Sequence, residues 1–154
     1  MSDHIQVLNK NGPHNKWFDS RAAELTCAIY ASELGGSPVT KKVVRTMNIQ
    51  YVLWIKDMET EKTIAAAMVM RFVNGDHRIC GIAVDPSHKR KGYGTALMRK
   101  IESLMPDESS LCLGVDKDKE ATQWLLEWYT SLGFQRIRET SYEFILEKTI
   151  AKGE

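Results

Sequence analysis

Between Cys80 and Met98 the chain reads Cys-Gly-Ile-Ala-Val-Asp-Pro-Ser-His-Lys-Arg-Lys-Gly-Tyr-Gly-Thr-Ala-Leu-Met: an aliphatic strand, a basic turn with two glycines, then the start of a helix. Gly92 and Gly94 let backbone N–H groups face outward at that helix start, where the helix dipole adds about half a positive charge. Lys89, Arg90 and Lys91 add full charges, and the stretch from His88 to Lys100 contains no acid. A basic triplet is ordinarily a solvated face. Placed between a strand and two glycines, this one is a candidate pyrophosphate cradle. It is not a P-loop, because neither glycine is followed by Lys and then Ser or Thr. Nor is it a dinucleotide fingerprint, since Leu97 stands where the third glycine belongs.

Working outward, the flanking segments alternate between strand and helix patterns. Ile5, Val7 and Leu8 suggest a first strand over 4–8, stopped by Asn11-Gly12-Pro13. Helical spacing of Trp17, Phe18, Ala22, Leu25, Ile29 and Leu34 predicts a helix closed by Gly35-Gly36, and Ser37-Pro38 opens a shorter one reaching Met47. Ile49 to Ile55, Thr63 to Val73 and Arg78 to Val84 predict three consecutive strands, the last two joined at Asn74-Gly75-Asp76. Leu97, Met98, Ile101, Leu104 and Met105 form a helical stripe ended by Pro106. Ser110 to Val115 is then a strand, and Ala121, Trp124, Leu125, Trp128 and Leu132 lie along one helix face before Gly133. Phe134 to Ile137 and Tyr142 to Leu146 complete the pattern. The fold class is therefore α/β: one domain with a mixed, mostly antiparallel sheet and helices on both faces.

Composition removes several function classes. A chain of 154 residues fits a single core. Its 21 Lys and Arg against 20 Asp and Glu leave a charge of +1, so bulk attraction to nucleic acid or anionic lipid is not expected. Cys27, Cys80 and Cys112 match neither a disulfide framework nor a Cys-x-x-Cys metal site. His4, His14, His77 and His88 show no metal spacing, and are expected at the surface or in turns. The longest apolar run, Ile64 to Met70, is too short for a membrane span, and no secretory signal is legible near Met1, so a cytoplasmic location is expected.

The 80–98 segment resembles the central motif of the GNAT family of N-acetyltransferases. That motif is an Arg or Gln, two residues, then Gly-x-Gly or Gly-x-Ala, after a strand ending in an aliphatic-x-Val pattern. Lys89, Gly92 and Gly94 occupy those positions. Trp128-Tyr129-Thr130-Ser131-Leu132-Gly133-Phe134 is similar to a second signature of the family, a tyrosine followed closely by Leu-Gly-Phe. The predicted order of elements matches as well, so the resemblance spans almost the whole chain.

The resemblance implies a single N-acetyltransferase domain over residues 1–154 that takes the acetyl group from acetyl-CoA and passes it directly to a primary amine, in a small molecule or a peptide, within a ternary complex. Backbone groups of Ile82, Ala83 and Val84 would hold the acetyl and pantetheine arm, and the N–H of Ile82 would meet the oxyanion. Lys89, Arg90, Lys91, Gly92, Tyr93, Gly94 and Thr95 would hold the pyrophosphate. Tyr129 would protonate the departing thiolate, as a phenol of pKa about 10 can for a thiol near about 8.5.

Three positions depart from the family pattern. Lys89 keeps the charge of the usual Arg but loses its fork. Gly114 stands where some members carry a glutamate base, and Thr122 where an Asn is common. For the base that deprotonates the amine, Asp116 is the first candidate, acting through water. Glu143 is the second, and proton loss to solvent the third. Two alternatives to an enzyme are a non-catalytic acyl-CoA-binding module and a subunit of an acetyltransferase complex, and a homodimer would be unsurprising.

Overall fold

The structure, a computed structural model, describes residues 5–10, 48–60 and 63–151. The two helices predicted over 17–34 and 37–47 lie outside the described residues. Seven strands form one sheet: β1 (Ile5–Asn9), β2 (Ile49–Lys56), β3 (Thr63–Arg71), β4 (His77–Val84), β5 (Ser110–Asp116), β6 (Gln135–Glu139) and β7 (Glu143–Thr149). Their order is β1-β2-β3-β4-β5-β7-β6. Every neighbouring pair is antiparallel except β4 and β5, which run parallel. That exception follows from the intervening helix α1 (Tyr93–Leu104), because a crossover helix returns the chain to a parallel start. A second helix, α2 (Thr122–Ser131), connects β5 to the β6–β7 hairpin.

Alternation along the strands sorts side chains between two faces. Ala65, Ala67 and Val69 of β3, Ile79 of β4 and Leu111, Leu113 and Val115 of β5 join Leu97, Met98 and Ile101 of α1 and Tyr129 of α2 in one buried cluster. Both described helices therefore pack on the same face. On the other face Val52, Ala66 and Met68 are buried as well. Helix α1 stops where its sequence says it must. Met105 precedes Pro106 and sits at ψ 145°, the extended conformation a following proline imposes.

Two expectations need correction. The helix stripe anticipated around Trp124 is rotated: α2 buries Leu126 and Tyr129, while Trp124 is 59% exposed. The reason is that Tyr129 fills the space above the sheet, which turns Trp124 outward. His77, expected at the surface, is 4% exposed at the start of β4 with its Nδ1 unpaired. Burial pushes its pKa below the usual 6.5, Arg71 acts in the same direction and Asp76 opposes. The unfolded chain accordingly binds a proton that the folded chain refuses, so stability is lost as pH falls below about 6.5. Urea midpoints measured at pH 7.5 and 5.5 should show a larger acid loss for the wild type than for His77→Gln; equal losses would refute a role for this ring.

Candidate active site

β4 and β5 touch over three residue pairs, His77 with Leu111, Arg78 with Cys112 and Ile79 with Leu113, and then diverge. At the same point β4 carries an irregularity. Val69 pairs with Ile79 and Met68 with Gly81, so Cys80 is the extra residue of a bulge. Beyond it the pairing with β3 is regular, and Asp85 donates its N–H to the Ile64 carbonyl at 2.7 Å. Bonded and non-bonded pairs alternate in an antiparallel ladder. Counting back from Asp85, Ala83 and Gly81 spend their backbone groups on β3, whereas the N–H and C=O of Ile82 and Val84 point the other way, toward the departing β5. A slot with an unused strand edge results, and half-buried Ile82 and Val84 side chains pack against the core beneath it.

The basic turn begins where the slot ends. Pro86–His88 form one 3₁₀ turn, Arg90 adopts φ 65° and Gly92, the N-cap of α1, adopts φ 84°. The left-handed region suits glycine, which has no Cβ to clash. No side chain caps this helix, and Ala96 donates the first bond across the cap, to the Gly92 carbonyl at 3.0 Å. The amides of Tyr93, Gly94 and Thr95 consequently face out of the helix end. Gly94 has a separate reason to be glycine: a Cβ there would lie 3.3 Å from the Trp128 ring, so α2 approaches α1 at this residue. The turn is braced from below. His88 Nδ1 lies 2.9 Å from Asp85 Oδ2, and its Nε2 lies 3.8 Å from Asp57 at the end of the β2–β3 hairpin. The Ser87 hydroxyl and then His88 hold the Asp85 carboxyl below its usual range.

Tyr129 is positioned by the sequence that follows it. Gly133 adopts φ 99° and donates to the Thr130 carbonyl, and Phe134 donates back to the carbonyl of Tyr129 itself at 3.1 Å. This double closure is a Schellman cap, which requires a left-handed residue and here uses glycine. Phe134, 1% exposed, then meets the Tyr129 ring edge-on at 5.9 Å. The Leu-Gly-Phe signature thus fixes the tyrosine ring from its own helix end. Burial pushes the Tyr129 hydroxyl well above the usual phenol range, so it stays protonated at neutral pH.

The sheet face away from α1 and α2 carries a different group of residues. Glu143 of β7 reaches across β5 to Arg78 of β4, with Arg78 Nη2 donating to Oε1 at 3.3 Å. Between them lies Gly114, where a Cβ would overlap the Glu143 carboxylate and stand 2.8 Å from Arg78 Nη2. The missing side chain at Gly114 is therefore the space Glu143 occupies, at the head of the slot. Asp116 ends β5 exposed, and its carbonyl accepts from the Thr122 hydroxyl at 2.7 Å, which makes Thr122 a residue of the β5–α2 turn. Burial pushes the Cys80 thiol up to about 11 and raises Cys112 too, so neither is an activated thiolate. Arg78 is the residue that sequence reasoning missed. Its place opposite Cys112 depends on strand register, which no local pattern announces.

The parallel seam thus opens beside an uncapped helix start. The chain belongs to the acetyltransferase (GNAT) family, whose pattern matches residues 23–134. Enzymes of this family use acetyl-CoA as the acyl donor. No curated protein matches the sequence. Among solved structures, the ribosomal-protein-S18-alanine N-acetyltransferase from Escherichia coli is 18% identical with a TM-score of 0.67, covering 97% of this chain and 96% of that one. The PaiA N-acetyltransferase from Thermoplasma acidophilum, in complex with coenzyme A, is 16% identical at a TM-score of 0.60, covering 94% and 98%. An aminoglycoside 6'-N-acetyltransferase complexed with coenzyme A is 14% identical at 0.61, covering 97% and 98%. Among the described residues, no helix is long and apolar enough to cross a membrane.

Proposed function

We propose that residues 1–154 act as a single N-acetyltransferase domain that moves an acetyl group from acetyl-CoA directly to a primary amine in a ternary complex. The observation that carries this reading is the slot between β4 and β5, edged by the free backbone groups of Ile82 and Val84 and ending at the α1 start. The outward amides of Tyr93, Gly94 and Thr95, with Lys89, Arg90 and Lys91 flanking Gly92, suit a pyrophosphate. Acetyl-CoA supplies an activated acyl group on a good thiolate leaving group.

The chain's own residues then divide the work. The Ile82 N–H donates to the thioester carbonyl oxygen, which gathers negative charge as the amine attacks. Tyr129 gives its proton to the leaving sulfur from the helix face. A carboxylate on the opposite face takes the proton that the amine must lose, either Glu143 above Gly114 or Asp116 through water. The high thiol pKa at Cys80 supports direct transfer rather than a cysteine-bound acyl group. The proteins of like fold are named for a ribosomal protein alanine and for an aminoglycoside, so this scaffold serves peptide and small-molecule amines alike.

Calorimetric titration with acetyl-CoA tests the reading. The wild type should bind, Gly92→Glu should abolish binding by placing a negative charge at the helix end, and Gly92→Ala, strained at φ 84° but uncharged, should retain most of it. A wild type that does not bind would overturn the proposal.

A further inference from the structure

We propose that the stacked pair Trp124 and Trp128 is the seat of the adenine ring of the cofactor. The inference rests on the pyrophosphate lying at residues 90–95, and it assigns a part of the ligand which that site does not reach. Trp128 lies against Gly94, the second residue of α1, so its ring borders the helix turn whose amides face outward. Trp124 sits one turn earlier on α2, about 5.4 Å along the axis. The two indoles are stacked and nearly parallel, 12° apart with centroids at 5.9 Å. Tyr129 supports the inner ring at 4.8 Å.

The outer ring, by contrast, is 59% exposed. A large aromatic side chain held in a fixed orientation, with one face covered by a neighbour and the other open to water, is a stacking platform. Purine bases use such platforms because every base offers a π-face. The position also fits. β4 and β5 are parallel, so α1 and α2 both begin at the same end of the sheet, and Trp124 is near the start of α2. Lys89, Arg90 and Lys91 lie in the turn that precedes α1 and suit the further phosphate on the same nucleotide.

The test compares two ligands, coenzyme A and 4′-phosphopantetheine, the second lacking the nucleotide. Trp124→Ala should weaken coenzyme A by about tenfold, within the span reported for base–aromatic stacking, and leave 4′-phosphopantetheine unchanged. Trp124→Phe should recover most of the loss. Adenosine 3',5'-bisphosphate should quench tryptophan fluorescence in the wild type and much less in Trp124→Ala. Unchanged coenzyme A affinity in Trp124→Ala, or an equal loss for both ligands, would overturn the adenine seat while leaving the pyrophosphate site standing. A wild type that binds neither ligand would overturn both.

Discussion

Replacing Tyr129 with Phe should lower kcat by about 10²- to 10⁴-fold, the usual worth of a positioned general acid, and leave the dissociation constant of acetyl-CoA within about twofold. The ring is what the fold needs. It packs against Trp128 and Phe134 and belongs to the buried cluster, and phenylalanine keeps all of that. The hydroxyl is what the proposed mechanism needs. Its raised pKa keeps the hydroxyl protonated at neutral pH, available to donate to the sulfur as thiolate charge develops. Thermal unfolding of the variant should match the wild type to within a few degrees, separating a lost proton donor from a damaged core. Undiminished turnover in the variant would remove Tyr129 from the mechanism.

The second large effect is expected on the other side of the slot. Glu143→Gln retains the shape of the side chain above Gly114 but cannot accept a proton, and should reduce kcat/KM for an alkylamine acceptor by about 10²-fold or more. The loss should be greatest near neutral pH, where an amine of pKa about 10.4 arrives as its ammonium form. Acetyl-CoA affinity should be unchanged. The space at Gly114 offers a sharper test, because Glu143 fills the volume a side chain there would use. Gly114→Glu alone should disrupt the Arg78–Glu143 pair, whereas Gly114→Glu combined with Glu143→Ala returns a carboxylate to the same place from the neighbouring strand and should regain activity. If Asp116→Asn shows the large loss and Glu143→Gln none, the proton goes to Asp116 instead.

What was legible in the sequence was whatever local chemistry dictates. Gly75, Gly92 and Gly133 mark three left-handed positions, and all three lie where a turn or cap was expected. Pro106 ends α1, and the strands from Ile49 to Val84 follow their β-branched runs. The basic turn and Tyr129 were visible because each rests on a short contiguous motif. What could not be read depends on register between distant segments. Glu143 and Gly114 are 29 positions apart, and nothing in either neighbourhood says that one carboxylate fills the other's void. The rotation of α2 has a similar cause. Its apolar residues are consistent with two faces, and the choice is made by Tyr129 entering the core and by Trp128 finding the only side-chain-free surface on α1, at Gly94.

The three-pair contact between β4 and β5 is the shortest strand pairing in a sheet whose two sides share one buried core. β1 to β4 hydrogen-bond among themselves and carry α1, while β5 to β7 do the same and carry α2. In the proposed mechanism the pyrophosphate cradle lies on the β1–β4 side of that seam and Tyr129 on the β5–β7 side. A ligand lying in the seam is a rivet between them. At a hundred times its dissociation constant it adds about 2.7 kcal/mol to the native state, and it places that energy across the interface with the fewest hydrogen bonds. Filling the slot would therefore tie together the two sides of the sheet where their own pairing is shortest.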